Sequence, residues 1–482
     1  MPNSEKYEIV VGLEVHAQLM TKTKLFCGDT TEFGKEPNTQ VSVVSLGYPG
    51  TLPRLNKEAI SLAVRLGLAC NCEIVQHNFF ARKNYFYADL PKGYQISQHT
   101  TPICKNGFLN IAVGTEVKKI RINRIHMEED AGKSLHDENS EFSNLDFNRA
   151  GMPLLEIVTE PDIRSADEAF AYVTSLRKLV RHLGVCDGNM EQGSLRCDVN
   201  VSVRKKGEQK LGTKVEIKNL NSLRFIKKAI GYESERLISL IEADKNILQE
   251  TRGFDENSFT TYSIRIKEDE DDYRYFPEPD LPPFFISNET IEKIKTAMPP
   301  LPSDIKERLV TEFKLVTYDA EQLSNDTELS NFFFELTKHT KNHKASVNWI
   351  LGPIKNYLST NEVSLDELQL EPVSIAEIIR LIDTGTISYG IAVQQVFPAL
   401  INNPLLVISQ YIQEQQLQVE TSHTEIENLI DAALNKHFEK ITEYKKGKKG
   451  LISLFVGEVM RLSKGKADAK LVTERIIEKL KA

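Results

Sequence analysis

The stretch Val11-Gly12-Leu13-Glu14-Val15-His16-Ala17-Gln18-Leu19 alternates between two kinds of side chain. Apolar side chains occupy the odd-numbered positions, whereas a carboxylate, an imidazole and an amide follow Gly12 on the even-numbered ones. Because successive side chains of a β-strand point to opposite faces, this pattern predicts a strand with one buried face. The other face presents Glu14 and His16 about 7 Å apart, either to solvent or to a site.

The same alternation recurs in two later segments. Leu195–Val203 places Arg196, Asp198, Asn200 and Ser202 on one face, and Lys214–Lys218 places Lys214, Glu216 and Lys218 on one face. In each segment a carboxylate lies between other functional groups on the same face. This arrangement favours a face that lines a shared site over one that is only exposed to solvent. A period of two residues does not establish that the three strands are neighbours.

Two further segments supply carboxylates. His126–Lys133 contains three consecutive acids, and Glu156 stands alone in an apolar run. A buried carboxylate must be ion-paired, metal-bound or neutral. Oxygen ligands suit Mg²⁺, and an imidazole among them leaves Mn²⁺ or Zn²⁺ open. Salt bridges to nearby arginines and lysines are the alternative.

Two segments combine cations with aromatic rings. Arg82–Tyr87 and Lys92–Gln98 have the composition that holds a phosphate and stacks a base, or that of a packed aromatic cluster with cations at its edge. The sequence contains no Walker-type phosphate loop, so a nucleotide would have to be held by a different arrangement.

The charge is unevenly distributed. The chain of 482 residues has a formal charge of −8, but the segment 441–482 carries nine Lys and two Arg against five acids. An acidic body argues against general binding of polyanions. The basic tail, with Lys445, Lys446, Lys448, Lys449, Lys464 and Lys466 around an apolar helix, indicates a nucleic-acid contact or else a solvated surface.

The pattern of secondary structure changes near residue 299, where three of four residues are proline. Short β-runs precede it, among them Gln40–Leu46, with predicted helices at Lys57–Ala69, Ser165–Leu183 and Ser222–Asp244. Helical periodicity follows it. We predict an α+β fold with a mixed or antiparallel sheet, followed by two all-α modules, with domains at 1–295, 296–404 and 405–482.

The six cysteines are too scattered for a disulfide framework, and neither a signal peptide nor a membrane span is evident. These features predict a cytoplasmic protein.

Six segments resemble, in order, the B subunit of the aspartyl/glutamyl-tRNA(Asn/Gln) amidotransferases. They are Val11–Leu19, Arg82–Tyr87, His126–Lys133, Leu155–Val158, Gly193–Asn200 and Asp272–Asp280. The resemblance implies a glutamine-synthetase-like cradle followed by helical tRNA-binding parts. It also implies ATP-dependent phosphorylation of the side-chain carboxyl of Glu or Asp carried on tRNA, with ammonia then displacing phosphate.

The resemblance also implies roles for individual residues. His16, Glu129 and Glu156 look like the Mg²⁺ ligands, with Glu14 and Asp198 beside them. Glu216 is a further catalytic candidate. From their charge, Arg196, Lys214 and Lys83 are candidates for neutralising phosphate. The two segments that combine cations with aromatic rings supply candidates for binding ATP, namely Arg82, Lys83, Tyr85, Tyr87 and Lys92.

Partners follow from the resemblance as well: an amidase (glutaminase) that is the A subunit and supplies ammonia, a small C subunit and misacylated tRNA. Many relatives carry paired cysteines that bind zinc. Of those cysteines this chain retains only Cys27, so we expect no structural zinc. Two other functions stay open, a non-catalytic tRNA-binding scaffold and a self-contained ATP-dependent carboxylate–ammonia ligase.

Overall fold

The computed structural model describes residues 6–114, 116–136, 142–266, 273–419, 423–445, 448–463, 465–467 and 469–481. The chain divides into two compact units, Met1–Leu301 and Pro302–Ala482. The first contains the strands and the second is helical. A large mixed sheet followed by a helical region therefore confirms the predicted order of secondary structure.

The described strands all lie in the first unit. They are β1 (Tyr7–Gln18), β2 (Glu73–Ile74), β3 (His77–Asn78), β4 (Ala81–Asn84), β5 (Tyr94–Ser97), β6 (Cys104–Val113), β7 (Glu116–Glu129), β8 (Lys133–His136), β9 (Ser143–Asp146), β10 (Pro153–Thr159), β11 (Leu195–Lys205), β12 (Val215–Lys218), β13 (Glu250–Asp255), β14 (Thr260–Ile266), β15 (Arg274–Pro277) and β16 (Phe284–Phe285).

Twelve strands form one sheet in the order β14-β13-β12-β11-β1-β10-β7-β5-β4-β15, with β6 paired to β7 and β2 to β6. The pair β12–β13 is parallel, whereas the pairs around β1 are antiparallel. The helices of this unit are α1 (Lys57–Ala69), α2 (Ala166–His182), α3 (Leu223–Glu242) and α4 (Asn288–Ala297). A parallel pair needs a crossover, and α3 provides it between β12 and β13.

The register of β1 gives the sheet one apolar and one polar face. Val11, Leu13, Val15 and Ala17 are buried in a core that includes residues of α1, α2 and α3. On the opposite face, His16 lies across from Glu156 of β10 and Arg196 of β11. The three segments with alternating patterns are therefore neighbours, because β12 pairs in turn with β11.

The sheet is strongly curved towards its polar face. Ten flat strands would separate β14 from β15 by more than about 40 Å at ~4.8 Å per spacing. The eight-residue step from Ile266 to Arg274 reaches at most about 29 Å. In agreement with this limit, the side chain of Arg265 forms a hydrogen bond with Tyr273. Arg265 is in register with Thr251, Glu216 and Asn200, so this contact lies on the polar face, which is therefore the concave one.

The second unit contains α5 (Pro302–Thr311), α6 (Thr317–Ser324), α7 (Thr327–Leu336), α8 (His343–Trp349), α9 (Lys355–Asn361), α10 (Pro372–Asp383), α11 (Tyr389–Ile391), α12 (Phe397–Asn402), α13 (Ile408–Glu414), α14 (His423–Lys436), α15 (Phe438–Lys445), α16 (Ile452–Leu462) and α17 (Ala469–Lys481). Short π-helical segments join α8 to α9 and α11 to α12. No helix in the described part of the chain has the length and apolar character needed to cross a bilayer.

The helical unit has two hydrophobic clusters. The first runs from Ile305 to Leu417 and includes Ile408 and Ile412 of α13, and the second runs from Ile426 to Leu480. The residues of α13, which we assigned to the tail, thus pack with the preceding helices. The domain boundaries themselves stay a prediction.

One strand prediction was wrong. Gln40–Leu46 forms turns, with the Leu46 amide donating to the Ser42 carbonyl at 3.0 Å. The Asp29 carboxylate accepts from the Ser42 amide at 2.8 Å. Such local bonds satisfy the backbone without a neighbouring strand. The predicted helix Lys57–Ala69 is confirmed, and its Asn56 cap accepts from the Glu58 amide at 2.9 Å.

A buried ionic network fixes α3 to the end of the sheet. The fully buried Glu233 carboxylate lies 2.6 Å from Arg236 and 3.5 Å from Arg252 of β13. It also accepts a hydrogen bond from the Thr261 hydroxyl of β14 at 2.7 Å. Removing one partner of such a network leaves the other charges buried and uncompensated.

We therefore expect Glu233→Ala to lower the free energy of unfolding by about 3–5 kcal/mol in urea titrations. The exposed pair Glu289–Lys293 of α4 offers a matched control, since its loss in Glu289→Ala should cost about 0.5 kcal/mol or less. Equal effects of the two substitutions would show that the Glu233 network does not stabilise the fold.

Candidate functional site

Two histidines and two glutamates meet on the polar face where β1, β10 and β7 adjoin. His16 Nε2 lies 3.5 Å from Glu156 Oε2 and 3.6 Å from Glu128 Oε1. His126 Nε2 lies 3.2 Å from Glu156 and 3.6 Å from Glu128. The register explains the cluster, because Glu156 lies directly between His16 and His126. We call these four residues the His/Glu cluster.

The charges of the cluster depend on one another. Burial alone raises the pKa of Glu156, but His126 and His16 outweigh it and hold the pKa well below the usual value. Burial lowers the pKa of His126, yet Glu156 and Glu128 reverse this and raise it to about 9. The pKa of His16 is raised in the same way. The Glu156 carboxylate thus stays ionised with little access to water.

The donor set fits a divalent cation. One ligand atom from each of His16, Glu128 and Glu156 lies within 4.8 Å of the others. Two carboxylates with one imidazole are compatible with Mg²⁺ or Mn²⁺. In addition, the buried Nδ1 atom of His126 has no hydrogen-bond partner in the described residues. The cluster is therefore polar, buried and incompletely satisfied.

The three consecutive acids Glu128, Glu129 and Asp130, at and just beyond the end of β7, have three different environments. Glu128 belongs to the His/Glu cluster. Glu129 points to the other face of the sheet, where its carboxylate lies 2.6 Å from Lys92 Nζ. The Glu129 carboxylate also accepts from the Ile96 amide at 2.8 Å. Asp130 lies 3.0 Å from Arg196 and 3.2 Å from Arg149. The structure therefore places Glu128, and not the predicted Glu129, beside His16 and Glu156.

A second polar group lies on β11 and β12. Lys218 Nζ lies 2.9 Å from Asp198 and 3.3 Å from Glu216, and Thr251 donates to Glu216 at 2.8 Å. These carboxylates outweigh burial and raise the pKa of Lys218.

Glu14 lies beside this group, where its carboxylate accepts from Asn200 Nδ2 at 2.9 Å. Burial raises the pKa of Glu14, and Glu156 and Glu216 raise it further. The predicted candidates Glu14, Asp198 and Glu216 are thus on one face and mutually interacting.

The predicted cations have different settings. Arg196 is bound to Asp130, but about a third of its side chain stays exposed on the polar face. Lys214 is exposed and lines a groove of about 390 Å³ together with Glu14 and Asn200. In the described part of the chain, no carboxylate forms an ion pair with Lys214.

The predicted nucleotide-binding set is divided between the two faces. Lys83 is on the polar face, 4.6 Å from the ring centroid of Tyr273 and 5.6 Å from that of Tyr85. Tyr87 is exposed, with its ring 5.8 Å from that of Tyr85.

Arg82 points to the opposite face, where it pairs with Glu278 at 2.8 Å and Asp280 at 2.9 Å. Lys92 is held by Glu129. The five residues therefore do not form one site, because alternation along β4 separates Arg82 from Lys83 and the charges of Arg82 and Lys92 are already compensated.

The tail lysines surround the last helices. Lys445 is exposed, Lys448 lies 2.8 Å from Glu443, and Lys449 lies 4.4 Å from the Tyr444 ring centroid. Lys466 is half-buried. Lys446 and Lys464 lie outside the described residues. The Cys27 thiol lies 3.2 Å from the Ser45 hydroxyl, and the absence of structural zinc stays a prediction.

Sequence reasoning missed several residues of the polar face. Glu128 and His126 have the same two-residue spacing as Glu14 and His16, so alternation along β7 could have selected Glu128 over Glu129. Lys218 belonged to a recognised pattern but received no role. The pairing of Asp130 with Arg196 joins distant segments, and no local signal in the sequence indicates it.

Comparison with known proteins shows the family to which the chain belongs. The family model described as the GatB/GatE catalytic domain matches residues 9–292, and the one described as the GatB domain matches residues 331–480. A catalytic domain with a carboxylate- and histidine-lined floor, joined to a helical region, places the chain among the amidotransferases, which are carbon–nitrogen ligases.

Curated relatives extend over the whole chain. A protein of Thermodesulfovibrio yellowstonii is 49% identical over 99% of this chain and 100% of its own length. One of Persephonella marina is 46% identical over 99% of this chain and 100% of its own. Both are named as the B subunit of aspartyl/glutamyl-tRNA(Asn/Gln) amidotransferase. The chain belongs to this family of B subunits.

The geometry predicts which glutamate binds a cation. Glu128→Gln should weaken Mn²⁺ binding by more than the roughly 10–100-fold that loss of an outer-shell partner costs, because it removes a ligand carboxylate. Binding can be measured by paramagnetic resonance of free Mn²⁺ on the full chain.

Glu129→Gln should leave Mn²⁺ affinity nearly unchanged and lower the midpoint of thermal unfolding, since it leaves Lys92 without its partner. A loss of Mn²⁺ binding in Glu129→Gln but not in Glu128→Gln would contradict this assignment.

Proposed function

We propose that this chain is the kinase and transamidase component of a tRNA-dependent amidotransferase. It phosphorylates the side-chain carboxyl of Glu carried on tRNA(Gln), of Asp carried on tRNA(Asn), or of both. The observation that carries the proposal is the His/Glu cluster, which lies beside exposed cations on a concave face in a chain of this family. The curved sheet is compatible with a glutamine-synthetase-like cradle.

The chemistry requires an activated carboxyl group. An oxygen of the substrate carboxylate forms a bond to the γ-phosphorus of ATP, and the bond from that phosphorus to the β-phosphate oxygen breaks to release ADP. The lone pair of ammonia then forms the C–N bond, phosphate leaves with the C–O electron pair, and the nitrogen loses a proton. Catalysis of the first step rests on charge neutralisation and alignment.

His16, Glu128 and Glu156 would hold the metal ion in this reaction. A bound Mg²⁺ supplies charge neutralisation on the transferring phosphoryl group. The residues themselves are suited to the task, because both glutamates are largely buried and their positions are fixed by the register of three strands. His126 braces Glu156 from the opposite side at 3.2 Å.

The cations of the polar face would neutralise phosphate charge. Arg196 is oriented by Asp130, Lys83 is backed by two tyrosine rings, and Lys214 stands at the groove beside Glu14. Of the predicted nucleotide-binding residues, Lys83 suits this role best, and the Tyr85 ring lies beside it on the polar face. Glu14, Asp198 and Glu216 would orient the substrate beside the metal site. Asp198 and Glu216 would also hold the Lys218 side chain in place there.

Ammonia would come from a partner. The names of the relatives as B subunits indicate that they act with other chains. We infer that an amidase, as the A subunit, and a small C subunit complete a heterotrimer around this chain, in the cytoplasm. Ammonia must arrive as neutral NH₃, since NH₄⁺ has no lone pair, which favours a closed path between the subunits.

The test supplies Glu-tRNA(Gln) or Asp-tRNA(Asn), ATP, Mg²⁺ and ammonium to the purified chain, with and without its partner subunits. We expect release of phosphate and formation of the amidated aminoacyl-tRNA, because the activating machinery belongs to this chain. Glutamine should replace ammonium only when the partners are present.

Three outcomes separate the proposal from its alternatives. Binding of tRNA without any phosphate release in either condition would identify a scaffold. Full activity with ammonium, and no co-purifying amidase, would identify a self-contained ligase. Matched activity of wild type and Glu128→Gln would show that the His/Glu cluster is not the centre of the reaction.

The tail of the second unit would bind the tRNA backbone. Its last 42 residues carry six more cations than acids, and Lys445 and Lys449 are exposed. Lysines that contact phosphates release counterions, which makes the affinity dependent on salt. The acidic first unit would then meet only the acceptor end of the tRNA.

Replacing Lys445, Lys449 and Lys466 by Gln in the full chain should therefore weaken tRNA binding. The slope of log K against log salt should fall by up to about 0.9 for each phosphate that the tail no longer neutralises. The exposed Lys245, Lys293 and Lys295 of the first unit serve as the control triple. The same salt dependence in the two triple variants would contradict a role of the tail. Mn²⁺ binding should stay unchanged in both variants.

A further inference from the structure

An aromatic stack stands beside the His/Glu cluster without an assigned role. The rings of His99 and Tyr275 lie parallel, with their centroids 4.0 Å apart and an angle of 13° between their planes. Tyr275 lies across from Lys83 in the register of β15 and β4, so it is on the polar face. Burial raises the pKa of Tyr275 to about 12, with a further contribution from Glu128 and Glu156, which lie close to it.

The stack is open on one side. Tyr275 is half-buried, whereas His99, which follows β5, is exposed. A planar group that approached the outer face of His99 would complete a stack of three rings. Nucleobases stack on such side chains whatever their sequence, because every base has a π-face.

A guanidinium adjoins the stack. Arg124 precedes His126 by two residues on β7, so both point to the polar face, about 7 Å apart along the strand. It is close enough to Tyr275 to affect the phenol electrostatically. In the described residues its hydrogen-bond partner is the neutral side chain of Asn123, at 3.3 Å.

Other cations of the same strand differ from Arg124. Arg121 is paired with Asp162 at 2.6 Å, and Lys118 with Glu168 at 2.7 Å. Across the described part of the chain, no carboxylate forms an ion pair with Arg124. Its half-buried positive charge is therefore available to an anion, and guanidinium groups bind phosphate through two parallel hydrogen bonds.

We propose that His99, Tyr275 and Arg124 form a binding site for a purine nucleoside 5′-phosphate, with the base stacked on His99 and a phosphate bound by Arg124. The inference rests on the proposed function, which brings two ligands of this chemistry to the polar face. One is ATP, and the other is the terminal adenosine at the 3′ end of tRNA. Either would lie next to the metal-binding cluster.

The experiment measures the two ligands separately on the full chain assembled with its partner subunits. Equilibrium dialysis with Mg²⁺ gives the affinity for ATP. Filter binding of tRNA with and without its terminal adenosine gives the contribution of that nucleotide. His99→Ala should weaken at least one of the two by about 5- to 100-fold, the range expected for the loss of one stacked base.

The substitutions His99→Phe and Arg124→Gln test the two parts of the site separately, the ring on which the base stacks and the guanidinium that binds the phosphate. His99→Phe keeps a ring and should bind within about threefold of wild type, because stacking does not need the imidazole nitrogens. Arg124→Gln should weaken the same ligand that His99→Ala weakens, and the loss should shrink as salt rises. A loss confined to ATP, or to the terminal adenosine, identifies the source of the base.

Two matched controls come from the same unit. His77 packs against Phe285 in the separate pair of strands β3 and β16, with the ring centroids 4.7 Å apart and the planes tilted by 45°, and Arg121 is the arginine of β7 that is paired with Asp162. His77→Ala and Arg121→Gln should leave both affinities unchanged. If His99→Ala and Arg124→Gln bind both ligands as these controls do, the proposed site is wrong.

The same protein distinguishes this inference from the proposed function. Absence of phosphate release by the wild-type complex, together with base binding that depends on His99, would overturn the proposed function and leave the nucleotide site standing. Normal phosphate release, with neither affinity affected by His99→Ala or Arg124→Gln, would overturn the nucleotide site alone.

Discussion

The site depends on how ionised carboxylates are tolerated on a largely buried sheet face. The pKa of Glu156 stays low, despite burial, because His126 and His16 flank its carboxylate at 3.2 and 3.5 Å, and Glu128 lies 3.6 Å from both histidines. This arrangement exists only in one register of β1, β10 and β7, since a shift by one residue would turn every side chain of a strand to the other face. The apolar core on the far side enforces that register, because Val11, Leu13 and Val15 must remain buried. Packing on one face therefore determines electrostatics on the other.

Alternation along the chain predicted much of this arrangement. The periods of Val11–Leu19 and Leu195–Val203 indicated which side chains share a face, and the pairing of β1 with β11 brings those faces together. Strand order could not be predicted in the same way, since pairing between β1 and β10 joins residues about 140 apart in the sequence. The turns at Gln40–Leu46 were missed because the backbone amides there donate to the Asp29 carboxylate and the Ser42 carbonyl, and hydrophobicity does not encode such bonds.

The errors in the candidate site have a common physical origin. Neighbouring residues such as Glu128 and Glu129, or Arg82 and Lys83, have similar chemistry but face opposite sides of the sheet. Their partners decide their roles: Lys92 compensates Glu129, and Glu278 and Asp280 compensate Arg82. A sequence motif identifies the segment that contributes to a site. The face of the sheet to which each side chain points, and the charge with which it pairs, decide which residue of that segment takes part. The net charge of the chain likewise averages over an acidic first unit and a basic tail, so that it hides both.

The curvature of the sheet has a consequence for how its two surfaces accept sequence change. On a concave surface, side chains from adjacent strands converge towards a common centre, while those on the convex surface spread apart. An added methylene at Asp198 or Glu156 would therefore displace groups on the neighbouring strands as well as on its own strand. Side-chain size is thus constrained on both surfaces, on the inner one by convergence and on the helix-covered one by the buried core.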